Sequence, residues 1–92
     1  MQKAIYYIGA DNSTNKLETE QITSIISKHF DGFTAFEVVG FWKGLQERTL
    51  KVEVVTDESP ALLTKVGSEL KEKLEQDSVL LEIVETNIAF IQ

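Results

Sequence analysis

The chain has 92 residues, nine basic and fifteen acidic side chains, a net charge of −6, and 42 % apolar and 26 % charged residues, the balance of an ordinary globular protein and far from a disordered one. It contains no cysteine, which excludes a disulfide framework, a thiolate zinc site and a cysteine nucleophile. No apolar run approaches the roughly 20 residues of a membrane span and no basic-then-apolar leader opens the sequence, so the expectation is one cytoplasmic domain over residues 1–92 with no membrane partner.

Residues 3–9, Lys-Ala-Ile-Tyr-Tyr-Ile-Gly, are β-branched and aromatic and read as a buried strand. The polar run from Gly9 to Lys16 reads as a loop. Ile22, Ile25, Ile26, His29 and Phe30 then recur at helical spacing, with Glu18 and Glu20 in the first turn, where the helix dipole favours them. If Glu18 caps this helix, Leu17 and Ile22 form a hydrophobic staple. Asp31-Gly32 marks its end, with Gly32 expected in the left-handed conformation. Strands are expected over 33–42 and 48–56, joined across Lys43-Gly44-Leu45-Gln46-Glu47 as an antiparallel hairpin. Ser59 and Pro60 suit the cap and first position of a second helix running to about Gln76, with Leu63, Val66, Leu70 and Leu74 as its buried stripe. Gly67 inside that helix points to close packing against the sheet. Residues 79–84 read as the last strand, and Ile88–Ile91 as its extension or a short separate strand.

The resulting order, β-α-β-β-α-β, predicts a ferredoxin-like α+β sandwich: an antiparallel sheet with two helices on one face. The strand at 48–56 alternates, with Leu50, Val52 and Val54 opposed to Thr49, Lys51 and Glu53. The strand at 33–42 is apolar on both sides, Phe33, Ala35, Val39 and Phe41 against Phe36, Val38 and Trp42. The strand at 3–9 is apolar on both sides as well. A sheet with one helical layer and two apolar faces needs a second cover, so homo-oligomerisation through the open sheet face is expected.

The acidic balance opposes duplex nucleic acid, whose binding depends on neutralising phosphates. Lys43, Arg48 and Lys51 flank one turn and are the only cations expected to cluster, enough for a small anion. Gly40-Phe41-Trp42-Lys43-Gly44 places the only tryptophan between two glycines, next to a cation. Glycines allow close backbone approach, and an indole stacks on a flat ligand. In the 9–15 loop, Asp11 and Asn12 add polar groups ahead of a helix, although no nucleotide-binding glycine fingerprint is present. The candidate ligand-binding residues are therefore Trp42, Lys43, Gly44, Arg48, Lys51, Asp11 and Asn12. The lone His29 has no second ligand at metal spacing, and neither a metal nor a cofactor is expected.

Phe30-Asp31-Gly32-Phe33-Thr34, Gly40-Phe41-Trp42-Lys43-Gly44 and Gln76-Asp77-Ser78-Val79, in this order and spacing, resemble a family of small uncharacterised proteins from bacteria and their phages. The resemblance spans about residues 5–91. It implies a ferredoxin-like domain, often phage-encoded, with no established activity and no catalytic residues to carry over. The functional expectation is a non-catalytic homo-oligomeric module that binds a small anionic or nucleotide-like ligand or a host protein. The alternatives are a small enzyme of the dimeric ferredoxin-like barrel type, with a pocket between sheet and helices and His29 or Glu37 as base, and an adaptor that docks through its open sheet.

Overall fold

In the computed structural model, which describes residues 1–11 and 13–92, the chain runs β1 (Gln2–Gly9), α1 (Thr19–Ser27), β2 (Thr34–Trp42), β3 (Leu45–Thr56), α2 (Pro60–Lys73) and β4 (Leu80–Glu85). The strands form one antiparallel sheet ordered β2-β3-β1-β4. Ala4, Tyr6 and Ile8 of β1 and Leu50, Val52 and Val54 of β3 meet Ile22, Ile25 and Ile26 of α1 and Leu63, Val66 and Leu70 of α2 in one core. Both helices therefore cover the same face, which is the ferredoxin-like arrangement that the element order predicts.

The central tie is Tyr6. Its side chain is fully buried, and its hydroxyl donates to the Leu63 carbonyl oxygen at 2.6 Å, so a buried donor is satisfied and β1 is pinned to α2. Burial pushes the phenol up to about 12, because the charged form has lost its water. The helix starts follow the sequence closely. Ser59 accepts from the Leu62 amide at 3.2 Å, with Pro60 in the first turn. At α1, Glu18 occupies the cap position without a side-chain hydrogen bond, and buried Leu17 and Ile22 supply the staple instead.

Four local expectations change. α2 stops at Lys73 rather than near Gln76, because Glu75 takes a left-handed φ of 53°. The Gln76 amide then reaches the Lys71 carbonyl at 2.9 Å and the Glu75 amide reaches the Glu72 carbonyl at 3.3 Å, a Schellman ending built without glycine. Gly32 is not left-handed; α1 ends through the Lys28 and His29 amides, which donate to the Ile25 and Ile26 carbonyls. The hairpin connection is not five residues but two, Lys43 and Gly44, with φ of 51° and 79°, the signature of a type I′ turn. Finally, residues 86–92 add no strand, and Ile88, Phe90 and Ile91 are exposed.

Gly67 is also not required by contact: a β-carbon there would lie 3.5 Å from Tyr6 Cε1, an ordinary packing distance. Gly67→Ala is expected to raise stability by about 0.5–1 kcal/mol, read as a shifted urea midpoint with an unchanged slope. The Tyr6 phenol predicts alkaline sensitivity. Its folded pKa lies above the unfolded value of 10.0, so above that pH the unfolded chain sheds a proton that the native state keeps. Stability from this group is complete below pH 10 and falls as pH rises toward 12, with a limiting slope of about 1.4 kcal/mol per pH unit. Urea titrations across that range are expected to show the fall in the parent and a shallower one in Tyr6→Phe.

Candidate functional site

The site begins where the sheet narrows. β1 ends at Gly9, opposite Thr49, and the Ala10 amide still reaches the Arg48 carbonyl at 2.9 Å. Beyond that point β3 pairs with β2 alone, Glu47 with Gly40, Gln46 with Phe41 and Leu45 with Trp42. The hairpin tip is thus a two-stranded arm. Register assigns its faces. Ala35, Glu37, Val39 and Phe41 share the helix side with Leu50 and Val52, whereas Phe36, Val38, Gly40 and Trp42 share the open side with Lys51, Thr49 and Glu47. The helices leave the arm uncovered, so Phe41 is 71 %, Trp42 63 % and Leu45 74 % exposed on opposite faces.

Between this arm and the α2–β4 connection lies a trough of about 600 Å³ on the open side. Its floor is made by glycines beside β3. A β-carbon on Gly9 would run into the Glu47 carboxylate, and one on Gly40 would come within 2.7 Å of Thr49 Oγ1. Tyr7 and Leu80 form one wall, Trp42 another, and Gln76–Val79 the rim. That rim is delivered by the left-handed ending of α2, so an irregularity of the helix end shapes the site. The motifs Gly-Phe-Trp-Lys-Gly and Gln-Asp-Ser-Val, distant in sequence, meet here. Lys43 holds its ammonium 5.8 Å from the Trp42 ring centroid, within cation–π range. It does so from a left-handed backbone conformation that costs a non-glycine residue about 1 kcal/mol.

The candidate residues separate. Trp42 and Lys43 line the trough, with Gly44 completing the turn beside them. Arg48 points to the helix side, where its Nε donates to Glu37 at 2.8 Å; that bond holds the Glu37 carboxyl below the usual carboxylate range. Lys51 lies on the open side, with its ammonium 5.2 Å and 5.6 Å from the Phe36 and Tyr7 ring centroids and 3.5 Å from Glu53. Arg48 and Lys51 are three positions apart on one strand and so face opposite ways; the three cations do not converge. Asp11 accepts from the Ser13 hydroxyl at 2.6 Å and from the Ser13 and Thr14 amides at 2.8 Å and 3.0 Å. These bonds pull its carboxyl below the usual range and bind it into its own loop. Asn12 lies outside the described residues.

His29 and Glu37, the bases considered for an enzyme, are both engaged away from the trough. His29 Nε2 lies 2.8 Å from Glu69, which also meets Lys73 at 3.0 Å. Among the described residues no three histidine or carboxylate side chains converge to hold a metal ion, and no helix is long and apolar enough to cross a membrane. The open face also carries polar groups of its own. Glu53 sits between Lys3 and Lys51, at 3.8 Å and 3.5 Å, and the Tyr7 hydroxyl donates to Glu82 at 3.4 Å. Buried Ile5 lies in the same row of the sheet as Glu53 and Glu82, so polar groups separate the apolar surface of the arm from Val55 and Val84 at the other end of the open face. The site residues that sequence reading passed over are Glu47 and Thr49. Their signal is the pair of glycines, Gly9 and Gly40, that ends up on either side of them once the turn is counted as two residues.

No family model matches the sequence, and no curated protein matches it. Among solved structures, a phage SAM lyase in the apo state superposes with a TM-score of 0.61 at 18 % identity over 90 % of this chain and 78 % of that one. A phage SAM lyase in complex with S-methyl-5′-thioadenosine gives 0.59 at 19 % identity, over 91 % and 80 % of the two chains. A DUF3240-family protein from Shewanella baltica OS155 gives 0.67 at 12 % identity, over 99 % and 96 %. At these identities the likeness establishes a shared fold.

The strained turn yields a stability prediction. Lys43→Asn restores the Asn-Gly pair that type I′ turns prefer and is expected to stabilise the hairpin by up to about 1 kcal/mol. Thermal and urea unfolding check it, and a destabilised variant would show that the Lys43–Trp42 contact outweighs the backbone term.

Proposed function

We propose that this chain is a non-catalytic, phage-type binding module that holds a nucleoside-like small molecule in the trough and works as a homo-oligomer whose copies cover the open face. The observation that carries the reading is the convergence, on a glycine floor, of an exposed indole with hydroxyl and carboxylate acceptors. Trp42 offers a flat face to a purine, Thr49 and Ser78 offer hydroxyls, and Glu47 and Asp77 offer acceptors for ribose hydroxyls. Lys43 is the one cation along the trough among the described residues, against two carboxylates. This charge balance favours a neutral or cationic nucleoside over a polyphosphate. The similar fold of a phage SAM lyase solved with S-methyl-5′-thioadenosine supports a thioadenosine-type ligand, and the sequence resemblance to phage proteins supports the same setting. Binding rather than turnover is proposed because no histidine lines the trough and the candidate bases His29 and Glu37 are paired on the other side of the sheet.

Titration of the Trp42 fluorescence with adenosine, S-methyl-5′-thioadenosine and ATP tests the reading. Saturable change with the two nucleosides is expected, with ATP weaker by about tenfold or more, and chromatography should recover the ligand unaltered. Gly9→Ala, which drives the Glu47 carboxylate out of its place, is expected to weaken binding while leaving the unfolding transition cooperative. No response to either nucleoside up to millimolar concentration would overturn the ligand, and conversion of the ligand would overturn the non-catalytic role. A solution mass of 10.4 kDa at all concentrations would overturn the assembly.

A further inference from the structure

The two edges of the sheet are protected very differently. β4 is six residues long and carries Glu82 and Glu85, the short and charged form that discourages strand pairing. β2 is nine residues long, carries Glu37 as its only charge and has no proline. The residues flanking a two-residue turn are bonded to each other, so Trp42, Gly40, Val38, Phe36 and Thr34 direct their backbone groups at β3. Ala35, Glu37, Val39 and Phe41 direct theirs outward, and among the described residues no other segment takes up those bonds. A long, apolar edge of this kind is a template for another strand.

We propose that the occupant is the β2 edge of a second copy, paired antiparallel about a two-fold axis through Val38, so that two sheets become one continuous eight-stranded sheet. Strand register selects this axis. Centring the pair on Glu37 sets that carboxylate against its own copy, and centring it on Val39 runs the pairing into the Lys43 turn. Centring it on Val38 pairs the whole strand. Glu37 then faces the partner's Val39, each Glu37 stays with its own Arg48, and the outward-directed residues bond to one another. The side chains also fit. Thr34 faces the partner's Trp42, Ala35 the partner's Phe41, and Phe36 the partner's Gly40, a small residue against a large one in each case. An aromatic over an edge glycine is itself a recognised sheet stabiliser. On the helix side this covers Phe41 and Val39, 71 % and 60 % exposed on a ledge that no helix reaches. On the open side it brings the partner's Phe36 to Gly40 at the edge of the trough. The pairing is a different contact from open-face packing and stands whether or not the trough takes a nucleoside.

The chain has no cysteine, so a single introduced thiol reports the axis directly. Directly opposed residues of a non-hydrogen-bonded pair have Cα atoms about 4.5 Å apart, inside the range a disulfide spans. Val38→Cys is expected to give a covalent dimer under mild oxidation, and Val39→Cys several-fold less. Val39→Glu, which opposes the partner's Glu37, is expected to raise the dimer dissociation constant by about tenfold or more, and Glu37→Lys in the same chain to restore it. Circular dichroism of each variant separates loss of pairing from loss of fold. Equal cross-linking at 38 and 39, or a native mass unaffected by Val39→Glu, would overturn the edge pairing even if the protein is oligomeric and binds nucleosides. Failure of Glu37→Lys to rescue would overturn the register. A 1:1 complex with an extended peptide at this edge in place of the dimer would assign the edge to a different occupant.

Discussion

The hydroxyl of Tyr6 donates to the Leu63 carbonyl from the middle of the sheet, a buried bond that ties β1 to α2. Leu63, Val66 and Leu70 of the same helix all face the core, and α2 ends at Lys73, ahead of the connection to β4. There the left-handed Glu75 turns the chain sharply and lays Gln76–Val79 along the rim of the trough. The tie from Tyr6 and the rim of the trough thus belong to the two ends of one helix, the first near its start at Leu63 and the second just past its end.

β3 divides the molecule's labour by residue parity. Its even positions from Leu50 to Val54 belong to the core, whereas Glu47, Thr49, Lys51 and Glu53 belong to the open face. Near the body of the sheet the open-face residues are occupied with one another, through Lys51, Glu53 and the aromatic rings beside them. Toward the arm the neighbouring side chains thin out: the Thr49 hydroxyl donates to the Glu47 carbonyl at 3.4 Å, and both residues lie beside glycines, Gly9 and Gly40. Thr49 is the last residue of β3 to pair with β1, and Glu47 lies just past that pairing but short of the turn, so both polar side chains sit where the sheet narrows.

What the sequence made legible follows from the same geometry. Helical periodicity around Ile22–Ile26 and Leu63–Leu74, the Ser59-Pro60 cap and the alternation at Leu50–Val54 each report burial on one face only, and these elements were readable. β2 was not orientable from sequence, because an edge strand that no helix covers has no reason to alternate; Trp42 could be placed only by its pairing with Leu45. The turn was misjudged because Lys43 is not a residue that announces φ above zero, and the five-residue loop this implied hid Glu47 and grouped Arg48 with Lys51. The end of α2 was overrun for the same reason, with glutamate standing where glycine is usual. Both errors fall at left-handed non-glycine residues, and both of those residues border the trough or its rim.

That coincidence bears on why the strain persists. A glutamate and a lysine held in a conformation that asparagine or glycine would adopt more cheaply make the arm and the rim less stable than the fold requires. The arm adds a second cost, since Phe41, Trp42 and Leu45 are apolar where the isolated chain gives them only water. The arm adds nothing to the core, which is built mainly from β1, β3 and the two helices, while Val79 of the rim, Leu81 and Ile83 pack against it. Surface that is apolar on both sides of a two-stranded arm gains its stabilisation only when something lies against it, and the strained turn fixes the Lys43 ammonium close to the one indole in the chain. The hairpin tip therefore combines a strained turn with exposed apolar side chains, whereas the body of the sheet under the two helices holds the buried core.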